Sequence, residues 1–182
     1  MLPETDHELF YRIALTFVKD VGTITACKLI EHYGSAEAVF KAPLKELKTL
    51  TGLGETRTKG FKESAVLTRA EEELTYIEKN NITVVCRYDD DYPPRLKSCV
   101  DAPLLMYYTG NAELNPEKVV AVIGTRKYTD YGQRACENLL EDLKDSGILI
   151  MSGLAHGIDT IAHKAALKNN LPTIGVLAHG LD

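Results

Sequence analysis

Two short apolar runs rich in β-branched residues, each ending in a loop that contains glycine, constrain this fold more than any other feature. The first run covers residues 119–123 and leads into Gly124, and the second covers residues 148–151. Strands buried on both faces in a parallel sheet have this continuous apolar character. A third run at residues 173–177, with helical patterns between the runs, predicts an α/β fold with a parallel, Rossmann-like sheet.

Helices are predicted before that sheet, because helical apolar spacing recurs between residues 7 and 65. Gly34 is typical of a left-handed helix end, and Ser35 of an N-cap. Two turns that contain glycine, at residues 20–23 and 51–54, share the outline of the helix-hairpin-helix element. Such a turn either offers backbone N–H groups to a DNA phosphate or serves as a structural turn or protein–protein surface.

The character of the sequence changes near residue 66. Two strands are predicted at residues 82–86 and 103–108, and the adjacent prolines between them predict a connector without helix. We therefore expect a helical domain over residues 1–65 and a Rossmann-like domain over residues 66–182. Since a doubly wound sheet usually continues with further β–α units, we expect the sheet to be truncated at its C-terminal end.

Bulk composition narrows the possible functions. The net charge of −5 means that any nucleic-acid binding must come from a local basic patch. No apolar run is long enough to span a bilayer and no signal peptide is visible, so we expect a cytoplasmic protein without a membrane partner. Four scattered cysteines and five histidines lack metal-ligand spacing, so we expect reduced thiols, no metal and no cofactor.

The loop after the first predicted strand is the strongest candidate for a ligand site. Gly124 permits close approach of a ligand to the backbone, Thr125 supplies a hydroxyl, and Arg126 supplies a bidentate fork for phosphate, with Lys127 beside it. Because each loop opens a helix, its backbone N–H groups also favour an anion. The simpler explanation is that the glycines only permit tight turns and that Arg126 is solvated.

The loop after the second predicted strand should lie next to the first, since carboxyl ends of parallel strands share one edge of a sheet. Its candidate phosphate-binding residues are Ser152, Gly153, His156 and Gly157. Neither loop matches a dinucleotide fingerprint or a P-loop. Asp159 and His163 lie at i and i+4 of the next predicted helix, where acid–base chemistry is possible but capping and a structural histidine are more common.

Several motifs, in order along about residues 8–182, resemble the DNA-processing protein A family (DprA, also called Smf). They are Asp89-x-Asp91-Tyr92-Pro93-x-x-Leu96, Val122-Ile123-Gly124-Thr125-Arg126, Tyr131-Gly132, Ser152-Gly153-Leu154-Ala155-x-Gly157-Ile158-Asp159, Ala162-His163 and Gly175-Val176-Leu177-x-x-Gly180-Leu181-Asp182. The resemblance implies an extended Rossmann-like fold without known catalysis, after an N-terminal sterile-alpha-motif (SAM) or helix-hairpin-helix-like domain. It also implies a homodimer that binds single-stranded DNA taken up in natural transformation, protects it from nucleases and loads the RecA recombinase.

By motif match, the residues from Gly124 to Arg126 fall on the family's phosphate-binding loop, and Ser152, Gly153 and Gly157 on its second glycine loop. His156 replaces a residue that is often basic in the family, so positive charge there depends on pH. Two rival hypotheses remain. One is a nucleotide-processing enzyme of the phosphoribohydrolase type, whose P-G-G-x-G-T-x-x-E motif these 182 residues lack, and the other is a structural nucleotide-sensing module.

Overall fold

The chain forms two compact units in the computed structural model, which describes residues 4–51, 54 and 58–181. The first unit is Met1–Thr109 and the second is Gly110–Asp182. Helices and an antiparallel hairpin build the first unit, and a parallel sheet with two helices builds the second. The expected α/β class, with a helical N-terminal region before a parallel sheet, is confirmed.

The helices of the first unit include α1 (Glu4–Phe17), α2 (Thr23–Tyr33), α3 (Ala36–Lys41), α4 (Leu44–Thr51) and α5 (Ser64–Lys79), with a 3-10 turn at Gly60–Lys62. Gly34 ends α2 with a φ of 87°, and the Ser35 hydroxyl accepts a hydrogen bond from the backbone N–H of Ala38, which caps α3. Both end signals are therefore confirmed. The turn at residues 20–23 precedes α2, whereas most of the turn at 51–54 lies outside the described residues.

The hairpin pairs β1 (Thr83–Cys86) with β2 (Leu105–Tyr108) in antiparallel register. The connector between them contains a one-turn helix, α6 (Pro94–Lys97), so the prediction that the two prolines exclude a helix is wrong. Pro94 occupies the first helical position, where no N–H donor is needed and the fixed φ suits the helix.

The Asp89 and Tyr92 side chains, which belong to the first motif that carries the family resemblance, stabilise this connector. The Asp89 carboxylate accepts a hydrogen bond from the Cys86 backbone N–H at 2.7 Å and pairs with Arg12 at 3.3 Å. Tyr92 is buried and donates its hydroxyl to the Pro103 carbonyl at 2.7 Å. Asp89 and Tyr92 of this motif therefore have structural roles within the connector.

The division of the chain differs from the boundary expected at residue 65/66. Helix α5 begins at Ser64, and its buried Ala70 and Ile77 share one hydrophobic core with α1 and the hairpin. Because this core is continuous across residue 66, the structural division falls at Thr109 instead.

The second unit contains β3 (Val119–Ala121), β4 (Leu149–Gly153) and β5 (Thr173–Val176), parallel and in that spatial order. Helix α7 (Asp130–Asp142) links β3 to β4, and α8 (Ile158–Lys168) links β4 to β5. The two helices pack against each other over a core that includes Leu140, Ile150 and Ala162. This arrangement puts the loops after β3 and β4 at one edge of the sheet.

Cysteine placement agrees with reduced thiols, since Cys27, Cys86 and Cys136 are buried and only Cys99 is exposed. Burial raises the pKa of the Cys86 and Cys136 thiols, which disfavours the reactive thiolate at neutral pH. Across residues 4–51, 54 and 58–181, no helix combines the length and apolar character needed to cross a bilayer.

Candidate functional site

The loops that follow β3 and β4 are joined directly at the carboxyl edge of the parallel sheet. The backbone N–H of Ile158, the first residue of α8, donates a hydrogen bond to the carbonyl of Thr125 at 3.2 Å. The start of α8 therefore fixes the backbone of the loop that carries Arg126.

Two glycines make this contact possible. A Cβ atom on Gly157 would lie 2.3 Å from the Thr125 carbonyl oxygen and 2.7 Å from Arg126 Cα, and Gly157 has a φ of 104°. A Cβ atom on Gly124 would lie 2.6 Å from the Ile158 side chain. Since real Cβ atoms do not approach so closely, only glycine at both positions lets the two loops pack in this way.

The first loop presents its cations to solvent. Arg126 and Lys127 are exposed, and neither side chain forms a hydrogen bond or an ion pair with another described residue. Thr125 stabilises the turn locally, because its hydroxyl accepts a hydrogen bond from the Lys127 backbone N–H at 3.1 Å. Two adjacent positive charges on a fixed backbone form a local basic site despite the negative net charge of the chain.

The second loop contributes less to the surface than the sequence suggested. Ser152 is 2% exposed, and its hydroxyl donates to the Val122 carbonyl at 2.6 Å. Gly157 is buried, and a Cβ atom on Gly153 would lie 2.6 Å from Asp159 Oδ2. Ser152 therefore contacts Val122 and Gly157 packs against Thr125 and Arg126, whereas Gly153 packs against Asp159. His156 is exposed.

Asp159 and His163 do not form an acid–base pair. Both imidazole nitrogens are engaged, with Nδ1 at 2.7 Å from the Thr173 hydroxyl and Nε2 at 2.9 Å from the Gly153 carbonyl. This contact network agrees with the structural-histidine interpretation. Asp159 is buried in the first turn of α8, where its carboxylate complements the helix dipole and so disfavours an anion at that helix end.

Three exposed residues near the basic pair were not predicted as site residues, although Ile123 and Tyr131 belong to motifs of the family resemblance. Tyr128 and Tyr131 are exposed close to the basic pair, and Ile123 is 82% exposed just before it. The available signal was the placement of two tyrosines within four residues after two adjacent cations. His179 is exposed beyond β5, and Asp182 lies outside the described residues.

This fold and loop geometry define a Rossmann-like α/β protein, and comparison with known proteins gives the family. Residues 83–182 match the model of the family described as DNA recombination-mediator protein A. The chain therefore belongs to that family.

Individual relatives agree with this assignment. The chain is 45% identical over 94 residues to DNA processing protein DprA of Streptococcus pneumoniae, covering 52% of this chain and 33% of the relative. It is 31% identical over 179 residues to protein Smf of Synechocystis, covering 96% of this chain and 45% of the relative. The X-ray structure of DNA processing protein A from Streptococcus pneumoniae superposes with a TM-score of 0.69 at 27% identity, over 96% of this chain and 58% of that one. The chain thus spans between a third and a half of these curated relatives.

Proposed function

We propose that this chain is part of a DNA-processing protein that binds single-stranded DNA through its phosphates at the loop after β3. The observation that carries the proposal is the exposed, unpaired pair Arg126 and Lys127 on a backbone held by α8. A guanidinium fork binds phosphate oxygens with two charge-assisted hydrogen bonds, and a neighbouring ammonium adds a second positive charge.

Direct contacts are proposed for the exposed part of the candidate set. Gly124 and Thr125 would offer backbone groups, Arg126 and Lys127 would offer charge, and His156 would border the site from the second loop. Ser152, Gly153 and Gly157 would act through the position of the first loop, because the Ser152 hydroxyl is bonded internally and both glycines are packed. A fixed backbone favours binding, because less conformational entropy is lost when the ligand arrives.

The wider role is proposed from family membership and from the names of the relatives. We infer that the whole protein is cytoplasmic, forms a homodimer, protects single-stranded DNA during natural transformation and loads the RecA recombinase onto it. We also infer that it acts by binding and not by catalysis. The engaged imidazole of His163 supports this inference, because neither of its ring nitrogens is free to act as a general base.

The test is fluorescence anisotropy with a labelled oligo-dT and the variant Arg126→Ala. The expected loss is roughly 1–3 kcal/mol, or about 5- to 150-fold in Kd, with little change in thermal stability because the side chain is exposed. The slope of log K against log salt should also fall by about 0.7, the value for one phosphate contact on a single strand.

Arg134→Ala is the matched control, because it removes the same charge from an exposed position of α7 in the same unit. If Arg126→Ala and Arg134→Ala weaken oligo-dT binding to the same extent, the assignment of the loop is wrong and the effect reflects net charge alone. If neither variant weakens binding, the assignment is wrong as well. A panel of mononucleotides with a hydrolysis assay is run in parallel. Tight mononucleotide binding with turnover, and no affinity for oligo-dT, would favour the phosphoribohydrolase alternative.

A further inference from the structure

Two exposed tyrosines follow the basic pair within a few residues. Tyr128 is 45% exposed and Tyr131 is 76% exposed. Neither ring stacks on another aromatic ring of the described chain, and neither hydroxyl forms a hydrogen bond there. The ring of tyrosine has a large apolar face. Two exposed tyrosine rings next to two cations are therefore suited to a ligand that has both flat apolar groups and anionic groups.

Backbone hydrogen bonds fix parts of the segment that carries these two tyrosines. Thr129 caps α7, since its hydroxyl accepts a hydrogen bond from the Gly132 backbone N–H at 3.2 Å, and Tyr131 lies in the first turn of that helix. Tyr131 therefore lies on a regular helical turn, five residues after Arg126. The residue before Arg126, Thr125, accepts a hydrogen bond from the first residue of α8 through its carbonyl oxygen. Cations and aromatic faces share one short, well-fixed segment.

We propose that Tyr131, assisted by Tyr128, is a stacking platform for the bases of the strand whose phosphates bind Arg126 and Lys127. Base–aromatic stacking tolerates any sequence, because every base has a π-face. It requires an unstacked strand, since a duplex buries the faces of its bases. The two tyrosines would thus make the site selective for single strands, which phosphate contacts alone do not. This inference rests on the proposed function.

The test compares two labelled strands of equal length on the 182-residue chain, one of oligo-dT and one of abasic phosphodiester. Tyr131→Ala should weaken oligo-dT binding at least about fivefold and leave abasic binding unchanged. Tyr131→Phe should keep the affinity for oligo-dT, because the ring remains. Tyr76→Ala is the matched control, since Tyr76 is 37% exposed on α5 in the first unit and should not affect either strand.

Failure of the inference and failure of the proposed function give different results. If the unsubstituted chain binds both strands equally, or if Tyr131→Ala lowers both affinities alike, stacking is refuted while phosphate binding stands. If the chain binds oligo-dT and Tyr131→Ala has no effect, the platform is also refuted. If the chain binds neither strand, the proposed function is wrong and the stacking platform falls with it.

Discussion

Gly157→Ala tests the structural basis of the site, because this substitution forces the two loops apart. An alanine there must adopt a φ of 104° with a ψ of −137°, a combination that only glycine adopts readily. Its Cβ would also lie 2.3 Å from the Thr125 carbonyl oxygen, whereas ordinary contacts begin at 3.4 Å. The two backbone segments would therefore have to separate by about 1 Å.

The expected loss of stability follows from these two effects. The unfavourable backbone conformation costs about 1–3 kcal/mol, and relief of the overlap costs a further 1–3 kcal/mol, as in overpacked cores. Together they amount to roughly 2–6 kcal/mol, a large share of the 5–15 kcal/mol that stabilises a typical domain. Because Arg126 Cα is only 2.7 Å from the same Cβ, the affinity for oligo-dT should fall as well.

Gly110→Ala is the matched control, since Gly110 has a φ of 112° and its added Cβ would meet nothing within 4 Å. It carries the cost of a positive φ without the overlap. Urea unfolding followed by circular dichroism should give a loss for Gly157→Ala that exceeds the loss for Gly110→Ala by at least about 1 kcal/mol. Equal losses in stability, with unchanged DNA affinity for Gly157→Ala, would refute the close approach of the two loops.

Two further substitutions test supporting side chains. Ser152→Ala removes the buried donor to the Val122 carbonyl and should cost about 1–3 kcal/mol of unfolding free energy in urea, while oligo-dT affinity changes little. A loss of affinity without a loss of stability would instead make Ser152 a ligand contact. Tyr92→Phe removes the hydroxyl that donates to Pro103 and should lower the urea midpoint by the equivalent of about 1 kcal/mol, and an unchanged midpoint would contradict that bond.

The secondary structure near the site was largely predictable because local signals specify it. The bounds of α8, Ile158–Lys168, agree with the apolar spacing, and Thr129 caps α7 as a residue of its type should. The three parallel strands were recognisable from their continuous apolar runs. The expected burial on both faces holds best for β4, because β3 and β5 are partly exposed. Parallel topology then placed the two loops at the same edge.

Tertiary contacts account for what the sequence did not reveal. The Ser152 hydroxyl faces the interior because it donates a hydrogen bond to the Val122 carbonyl, which lies thirty residues earlier in the chain. The sequence does not reveal a contact between residues so far apart. The core is continuous through α5 because this helix packs against α1. The change in predicted secondary structure near residue 66 gives no information about that packing. Pro94 was misjudged because its effect depends on its place within a helix, and the sequence did not show that a helix starts there.

The hydrogen bond between Ile158 and Thr125 has a consequence for protein engineering. A synthetic peptide of residues 122–131 would carry the same cations and tyrosines, but nothing would hold Thr125 and Arg126 in their positions. A transplant of that loop alone into another α/β scaffold would meet the same difficulty. The transferable module is the loop together with the turn from Gly153 to Ile158, grafted onto two adjacent parallel strands.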